Sequence, residues 1–461
     1  MLRLLFIGIA FISYYIAPQP YDQTFCWWLA CLYMLIMWSA IMRDILSKDI
    51  LSFNVLFSLM LFIVTFVNPL FVQTSYDSLP MLLGDHGNTI NKATALVVFA
   101  YSIYNFGWHR GMKKRAPKLY NGEIVIPQAI VNAVNALSVI VTIIFVVSIV
   151  KFVRGSSIEK NDIESGIIVL LTESILMLSV IVNVIVSKPK NLVEYIAKNK
   201  QIIACSMICV VLSFYIGDRT LPLFLLLTLL CSYSIFVRKL NLLLTIALLV
   251  VGSVFFYLVG QTRKSEKSLR SGGVSTFVSG SESIIAEDAG NVSSFVDLLP
   301  ASEMLYLAYE YPDMHGHYYN PGRIFIYASS PIPYLPNMLS EVVYELPIKK
   351  ISSAHVLTEE YNRTVYQIDG GLGTHVVADI YLSWGIIGVI VFFYLFGLLM
   401  GAVQFDKLSI QSVVIYISMV AYALYLPRDT LYNNYRLIVY QLLIIWICQK
   451  LTNLKIKTKA L

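Results

Sequence analysis

Apolar runs recur along this chain from one end to the other, and most are long enough to leave no room for an ordinary globular core. In windows of hydropathy they fall near residues 3–17, 25–42, 52–72, 92–108, 128–152, 167–187, 202–216 and 221–237, then 242–260, 377–403, 410–427 and 437–449. Crossing a hydrocarbon core takes roughly 20 residues at helical rise. Backbone groups in lipid must pair internally, in helices or in a closed barrel. Barrel strands alternate polar and apolar residues, whereas Ile167–Val186 and Leu242–Val259 read as apolar on every side. The expectation is fold class α, a polytopic helical integral membrane protein of about 12 transmembrane helices. Residues 1–260 form an N-terminal membrane region, 261–375 a large outer loop, and 376–461 a C-terminal membrane region.

Composition agrees with this pattern. Of 461 residues 57% are apolar and 13% charged, against roughly 25% charged in a soluble domain. The first residues, Met1–Ala17, resemble a signal peptide, but Tyr15 is too bulky for the position three before a cut at Ala17, so an uncleaved first span is expected. The net charge of +6 is spread between spans rather than over one soluble face, so it reports topology and not nucleic acid. Alternate connections are the basic ones: Arg110, Lys113, Lys114, Arg115 and Lys118; Lys188, Lys190, Lys198 and Lys200; Arg238 and Lys239; and the tail from Lys450. Lys and Arg near span ends stay on the cytoplasmic side. Both termini are then cytoplasmic, and residues 261–375 lie outside. The six cysteines fall in or beside apolar spans, where packing is the expected role, and no metal ligand set is expected.

The outer loop is far longer than an ordinary connection, and loops of that size are commonly functional. Phe295, Leu298, Leu299, Leu305 and Ala308 recur at helical spacing within Ser294–Tyr311, which predicts an amphipathic helix lying on the membrane surface. Tyr306–Tyr334 is dense in aromatic rings, suited either to sugar faces or to a membrane-interface belt. Pro331, Pro333 and Pro336 rule out a continuous helix there. Gly370, Gly371 and Gly373 form a joint before the next span without the Lys and Ser/Thr of a phosphate-cradling loop.

Several polar residues suggest chemistry. Arg219, in Gly-Asp-Arg-Thr between two spans, and Arg263, directly after the ninth, are held near the outer face, where a guanidinium can grip phosphate oxygens bidentately. A topological or Asp218-paired role is equally compatible for Arg219; Arg323 and Arg363 lie deeper in the loop, where each alone is more commonly a surface charge, and the outer arginines together make a candidate pyrophosphate site. His375 stands between the glycine joint and a span, with Asp379 four residues on and on the same face if helical. An imidazole oriented by a carboxylate could take a proton from a sugar hydroxyl, while a capping or interface histidine is equally compatible. His315-Gly-His317 has no third ligand nearby. No phosphate-binding loop, dinucleotide fingerprint or Asp-x-Asp pair lies on the cytoplasmic side, so no cofactor is expected.

The run Gly371-Leu372-Gly373-Thr374-His375-Val376-Val377-Ala378-Asp379-Ile380-Tyr381-Leu382-Ser383-Trp384-Gly385-Ile386-Ile387-Gly388 resembles the glycine-rich approach, acidic-x-Tyr and Gly-x-x-Gly of the Wzy-type O-antigen polymerases, the oligosaccharide repeat unit polymerases. Gly-Asp-Arg-Thr, the arginine after the following span and Pro331-Ile332-Pro333 in one large outer loop are similar too, so the resemblance covers essentially the whole chain. It implies a metal-independent glycosyltransferase of the bacterial inner membrane. Its substrates would be undecaprenyl-diphosphate-linked oligosaccharides presented in membrane lipid, with a chain-length regulator protein as a further partner and no nucleic acid. In the related O-antigen ligases, outer arginines and a histidine would fall on Arg219, Arg263 and His375, though polymerases often hold another small polar residue at the last. The resemblance assigns His375 or Asp379 to deprotonating the acceptor, and Arg219, Arg263, Arg323 and Arg363 to the pyrophosphate. A lipid-linked oligosaccharide flippase or exporter is the rival of a different class; it would show two related halves and mid-membrane charges. An O-antigen ligase is the rival within the class.

Overall fold

The computed structural model describes residues 2–46, 49–72, 86–114, 122–124, 126–215, 218–240, 299–346, 351–364, 373–406, 409–451 and 458–460, less 155–162, with the single positions 245, 247 and 252. The chain is helical. In order come α1 (Leu2–Tyr15), α2 (Gln23–Leu46), α3 (Phe53–Val67) with a π turn at Asn68–Val72, and α4 (Ile90–Lys114). These are followed by α5 (Gln128–Arg154), α6 (Ile163–Ser187), α7 (Leu192–Lys198), α8 (Lys200–Tyr215) and α9 (Thr220–Phe236). The long connection after α9 contributes α10 (Leu299–His315), α11 (Arg323–Ala328), α12 (Leu335–Tyr344) and α13 (Ser353–Thr364). The C-terminal region holds α14 (Val376–Phe405), α15 (Ile410–Tyr422), a 3-10 turn at Leu426–Arg428, and α16 (Leu431–Leu451).

Five of the described helices are long and apolar enough to cross a membrane: Gln23–Leu46, Phe53–Phe71, Gln128–Ile149, Gly166–Ser187 and Val376–Gln404. The pair α7–α8, bent by 86°, makes a sixth if read as one broken span. Helices α1, α9 and α15 are apolar but shorter. The expected span at 242–260 lies almost wholly outside the described residues, and every other expected window overlaps a helix. The protein is thus a helical membrane protein.

At the centre α4 is buried on all sides over most of its length and packs parallel to α14. Two small-residue repeats make this contact. Gly107 and Gly111 on α4 meet the carbonyls of Tyr394 and Leu398, while Gly397 and Gly401 on α14 meet those of Tyr104 and Trp108. A Cβ at any of the four would overlap backbone, so the helices approach as closely as small-xxx-small pairs allow. One end of this bundle is tied by polar side chains: the Ser52 hydroxyl donates to Asp44 at 2.7 Å, and Gln404 bridges Asp44 and the Trp108 indole, which donates at 2.9 Å. At the same end a two-stranded antiparallel ribbon, β1 (Gly122–Ile124) with β2 (Thr458–Ala460), joins the connection after α4 to the C-terminal tail.

The loop helix α10 does not lie on a surface as its spacing predicts. Residues 301–308 are all buried, packed between α14, α13, the C-terminal end of α3 and the N-terminal end of α4. The apolar stripe is there, but protein rather than lipid covers it, and the intervening polar residues find partners of their own. The Ser302 hydroxyl donates to the Val64 carbonyl at 2.6 Å, and Tyr309 stacks on Tyr381 of α14 with centroids 5.1 Å apart.

Helix α14 is two helical pieces joined at Gly385, which has φ 57° and ψ −153°. The Tyr318 ring stands 2.7 Å from where a Cβ would be, so both the backbone angle and the neighbour require glycine. The nine residues before this kink, Val376–Trp384, pack among the outer-loop helices; the rest runs along α4.

Candidate active site

The first half of α14 presents Asp379 to the outer loop. There α11 brings Arg323, whose Nη2 lies 3.0 Å from Asp379 Oδ1 with both side chains fully buried. The same nitrogen donates to the Asp379 carbonyl oxygen, and Nε donates to the Ser383 hydroxyl one turn further along α14. Ser353, at the start of α13, donates to Asp379 Oδ1 at 2.6 Å. Three separate segments of chain therefore converge on one carboxylate. Arg323 Nη1 and Asp379 Oδ2 are buried with no hydrogen-bond partner among the described residues. Such a group costs about 1–3 kcal/mol when left unmade, more when charged, and invites a ligand to supply the bond. Among the described residues the pair thus holds one donor nitrogen and one acceptor oxygen without a partner.

Aromatic rings surround this pair. Tyr309 and Tyr318 contact Tyr381, two residues after Asp379, and the Trp384 indole donates to the Pro321 carbonyl at 3.0 Å. Tyr318 and Trp384 remain partly exposed. His315 reaches Glu360 at 3.3 Å and joins α10 to α13.

His375 is the N-cap of α14 and is fully buried. Its Nδ1 accepts from the Val377 amide at 3.1 Å, which leaves the proton on Nε2, 3.3 Å from the Thr65 hydroxyl of α3. Burial pushes the imidazole down to about 3. The expected pairing with Asp379 does not form. The His375 carbonyl accepts the Asp379 amide at 2.8 Å, but the cap residue is extended, φ −117° and ψ 135°, so its side chain leaves the helical face: the ring turns to α3 while Asp379 turns to α11.

Arg219 occupies the N-cap position of α9, half-buried, without a side-chain capping bond. Its neighbour Asp218 does that work, accepting from the Thr220 amide at 2.9 Å. The surroundings of Arg219 differ from those of Arg323. Asp429, Arg428, Asp218 and Arg219 all lie within electrostatic reach of Tyr425. The Arg428 guanidinium stacks over the Tyr425 ring at 5.1 Å. Arg263 lies outside the described residues, and Arg363 is in the last turn of α13 with its side chain outside them.

Three features escaped the reading of the sequence. Glu173 lies within the run read as wholly apolar, buried at α6, 3.5 Å from the Tyr422 hydroxyl and within electrostatic reach of Arg436 and Asp218. A carboxylate inside a span is itself a signal of function. Arg436 was the same kind of signal, a charge flanking a short span. Third, Glu303 on α10 accepts from the Asn68 amide at 2.6 Å and faces His86 Nε2 at 3.4 Å, while Glu310 lies 2.9 Å from His86 Nδ1. Burial pushes Glu303 up to about 7, against the lowering influence of His86 and Asn68. Only tertiary contact could have joined α10 to the residue that precedes α4. Among the described residues no group of three or more His, Cys, Asp or Glu side chains is arranged to hold a metal ion.

No curated protein and no solved structure matches the chain. The family model described as O-antigen polysaccharide polymerase Wzy matches residues 1–455, and the chain belongs to that family.

Proposed function

We propose that this Wzy-family chain polymerises undecaprenyl-diphosphate-linked oligosaccharide repeat units by glycosyl transfer on the periplasmic face of the bacterial inner membrane, with Arg323 and Asp379 at the reacting centre. The observation that carries this reading is the buried Arg323–Asp379 pair with one unmet donor and one unmet acceptor. The non-reducing-end hydroxyl of one lipid-linked repeat attacks the anomeric carbon of the chain on a second lipid, with inversion. A carbon–oxygen bond forms, the bond to pyrophosphate breaks, and undecaprenyl diphosphate leaves with the electron pair. Arg323 Nη1 meets the charge growing on the leaving oxygens, as electrostatic stabilisation requires. Asp379 Oδ2 receives the hydroxyl proton. His375 has its Nδ1 lone pair committed to Val377, so here it positions the helix that carries Asp379.

Arg219, Arg263 and Arg363 are assigned to the pyrophosphates of the two lipids, and the chemistry needs no metal because guanidinium groups neutralise the departing charge. Around these residues the chain divides as 1–260, 261–375 and 376–461, with about 12 spans, both termini cytoplasmic, and a chain-length regulator as a further partner. The ribbon that ties the basic connection after α4 to the C-terminal tail supports a common side for the two.

Purified protein given a synthetic undecaprenyl-diphosphate repeat unit in chelator should yield a ladder of products. Absence of a ladder together with movement of the lipid-linked unit across a vesicle wall would replace polymerisation with transport. Arg323→Lys and Arg219→Lys keep charge but lose the planar fork, and each should lower activity by about ten- to a hundredfold.

A further inference from the structure

Helix α12 packs Leu339 and Tyr344 inward against Ile326, Tyr327 and Ile351, yet carries a second apolar stripe that a helix in water would not expose. Met338 and Val342, one turn apart and so on one stripe, are 57% and 75% exposed. Ile332 and Tyr334 before the helix and Val343 within it are also exposed. The buried side holds Pro336 and Ser340, whose hydroxyl is consumed by the Leu346 carbonyl. An exposed apolar face of this kind on a folded element marks a place of contact with something apolar.

What covers it follows from where it sits. Phe325 of the neighbouring α11 is 67% exposed, and its ring lies 6.4 Å from that of Trp384 on α14. Trp384 heads the outward stripe of α14, continued by Ile387, Val391, Leu395 and Leu399, all exposed and all on the span Val376–Gln404. A stripe of that composition on a membrane-crossing helix faces acyl chains. Through Phe325 the exposed side of α11 therefore adjoins a surface that is already lipid-facing, and α12 packs directly against α11. Tyr334 and Trp384 are the residue types that settle at headgroup level.

We propose that α12 lies in the outer headgroup–acyl boundary of the bilayer, with Met338 and Val342 in the lipid. It thereby holds α11, and with it Arg323, at the depth where a lipid-linked pyrophosphate sits. The depth given to Arg323 rests on the polymerase reading above; the contact of α12 with lipid does not. The surface helix expected at 294–311 thus has its counterpart some forty residues further on.

The test uses the full-length protein in a Cys31→Ser background, reconstituted in phosphatidylcholine vesicles, with an environment-sensitive fluorophore on Val342→Cys or on Glu341→Cys. Brominated phosphatidylcholine should quench the label at 342 at least about twice as strongly as the one at 341, and aqueous iodide should show the reverse order, as for an interfacial helix. Equal iodide quenching at both positions, without quenching by brominated lipid, would place α12 in water and overturn the proposal. Shielding of position 342 from both quenchers would overturn it too, and would identify a protein partner or a second copy as the cover. Lipid quenching at 342 combined with full activity of Arg323→Lys would leave the contact standing while removing the polymerase chemistry assigned to Arg323.

Discussion

Arg323 and Asp379 form an ion pair 3.0 Å long from which solvent is fully excluded, and each keeps one atom without a partner among the described residues. Two charges taken out of water are stabilised only by each other and by further hydrogen bonds. Here Ser353 and Ser383 supply some of those bonds.

Removing one partner strands the other. Arg323→Met or Asp379→Leu alone should lower stability by about 3–5 kcal/mol, whereas the double change Arg323→Met with Asp379→Leu should recover most of it. Activity should be absent in all three. Thermal unfolding in detergent, run beside the product-ladder assay, measures both; a double variant that polymerises normally would show the pair to be scaffolding.

His375 should behave as a cap. Asn can accept the Val377 amide, so His375→Asn should keep most activity, while His375→Ala should lose about 1 kcal/mol of stability. With its imidazole held down to about 3 by burial, His375 stays neutral between pH 5 and 8 and contributes no limb to the pH–rate profile there. Complete inactivation of a stably folded His375→Asn protein would restore the histidine as the proton acceptor.

Glu303 should make stability depend on pH in a direction opposite to an ordinary paired carboxylate. Its folded value, about 7, lies above the usual 4.5, so the native state binds the proton more tightly than the unfolded chain. Its protonated form is favourable below about pH 4.5, and stability is lost as pH rises from there to about 7, then levels. Glu303→Gln should remove this slope and raise the melting temperature at pH 8 relative to wild type. Parallel melting curves at pH 5 and pH 8 decide it, and an unchanged slope in the variant would assign it elsewhere.

The α4–α14 contact should tolerate no added side chain. Gly107→Leu or Gly401→Leu must push backbone from backbone, an overpacking cost of at least about 1–3 kcal/mol. The folded yield of either should fall well below that of Gly8→Leu, where nothing lies within 4 Å of the added Cβ. Equal yields in gel filtration would mean that the two helices separate without penalty.

What the sequence determined alone is what local composition controls. Apolar runs between charged connections specify helices in lipid, because a backbone there pairs only in a helix or a closed barrel and these runs lack the alternation of barrel strands. The stretch around His375 and Asp379 was legible as a motif, and Arg219 as a charge forced to a span end. What the tertiary structure decided is which groups meet. Arg323 and Asp379 are far apart in sequence and their meeting leaves no local trace; His375 and Asp379, four apart, diverge because a cap residue leaves the helical path before its side chain is placed. Periodicity likewise marked α10 as having an apolar stripe but is blind to whether lipid or protein covers it. Burial chose protein for α10, and exposure chose the opposite for α12, because packing against α3, α4 and α14 is settled by the whole bundle and not by either helix.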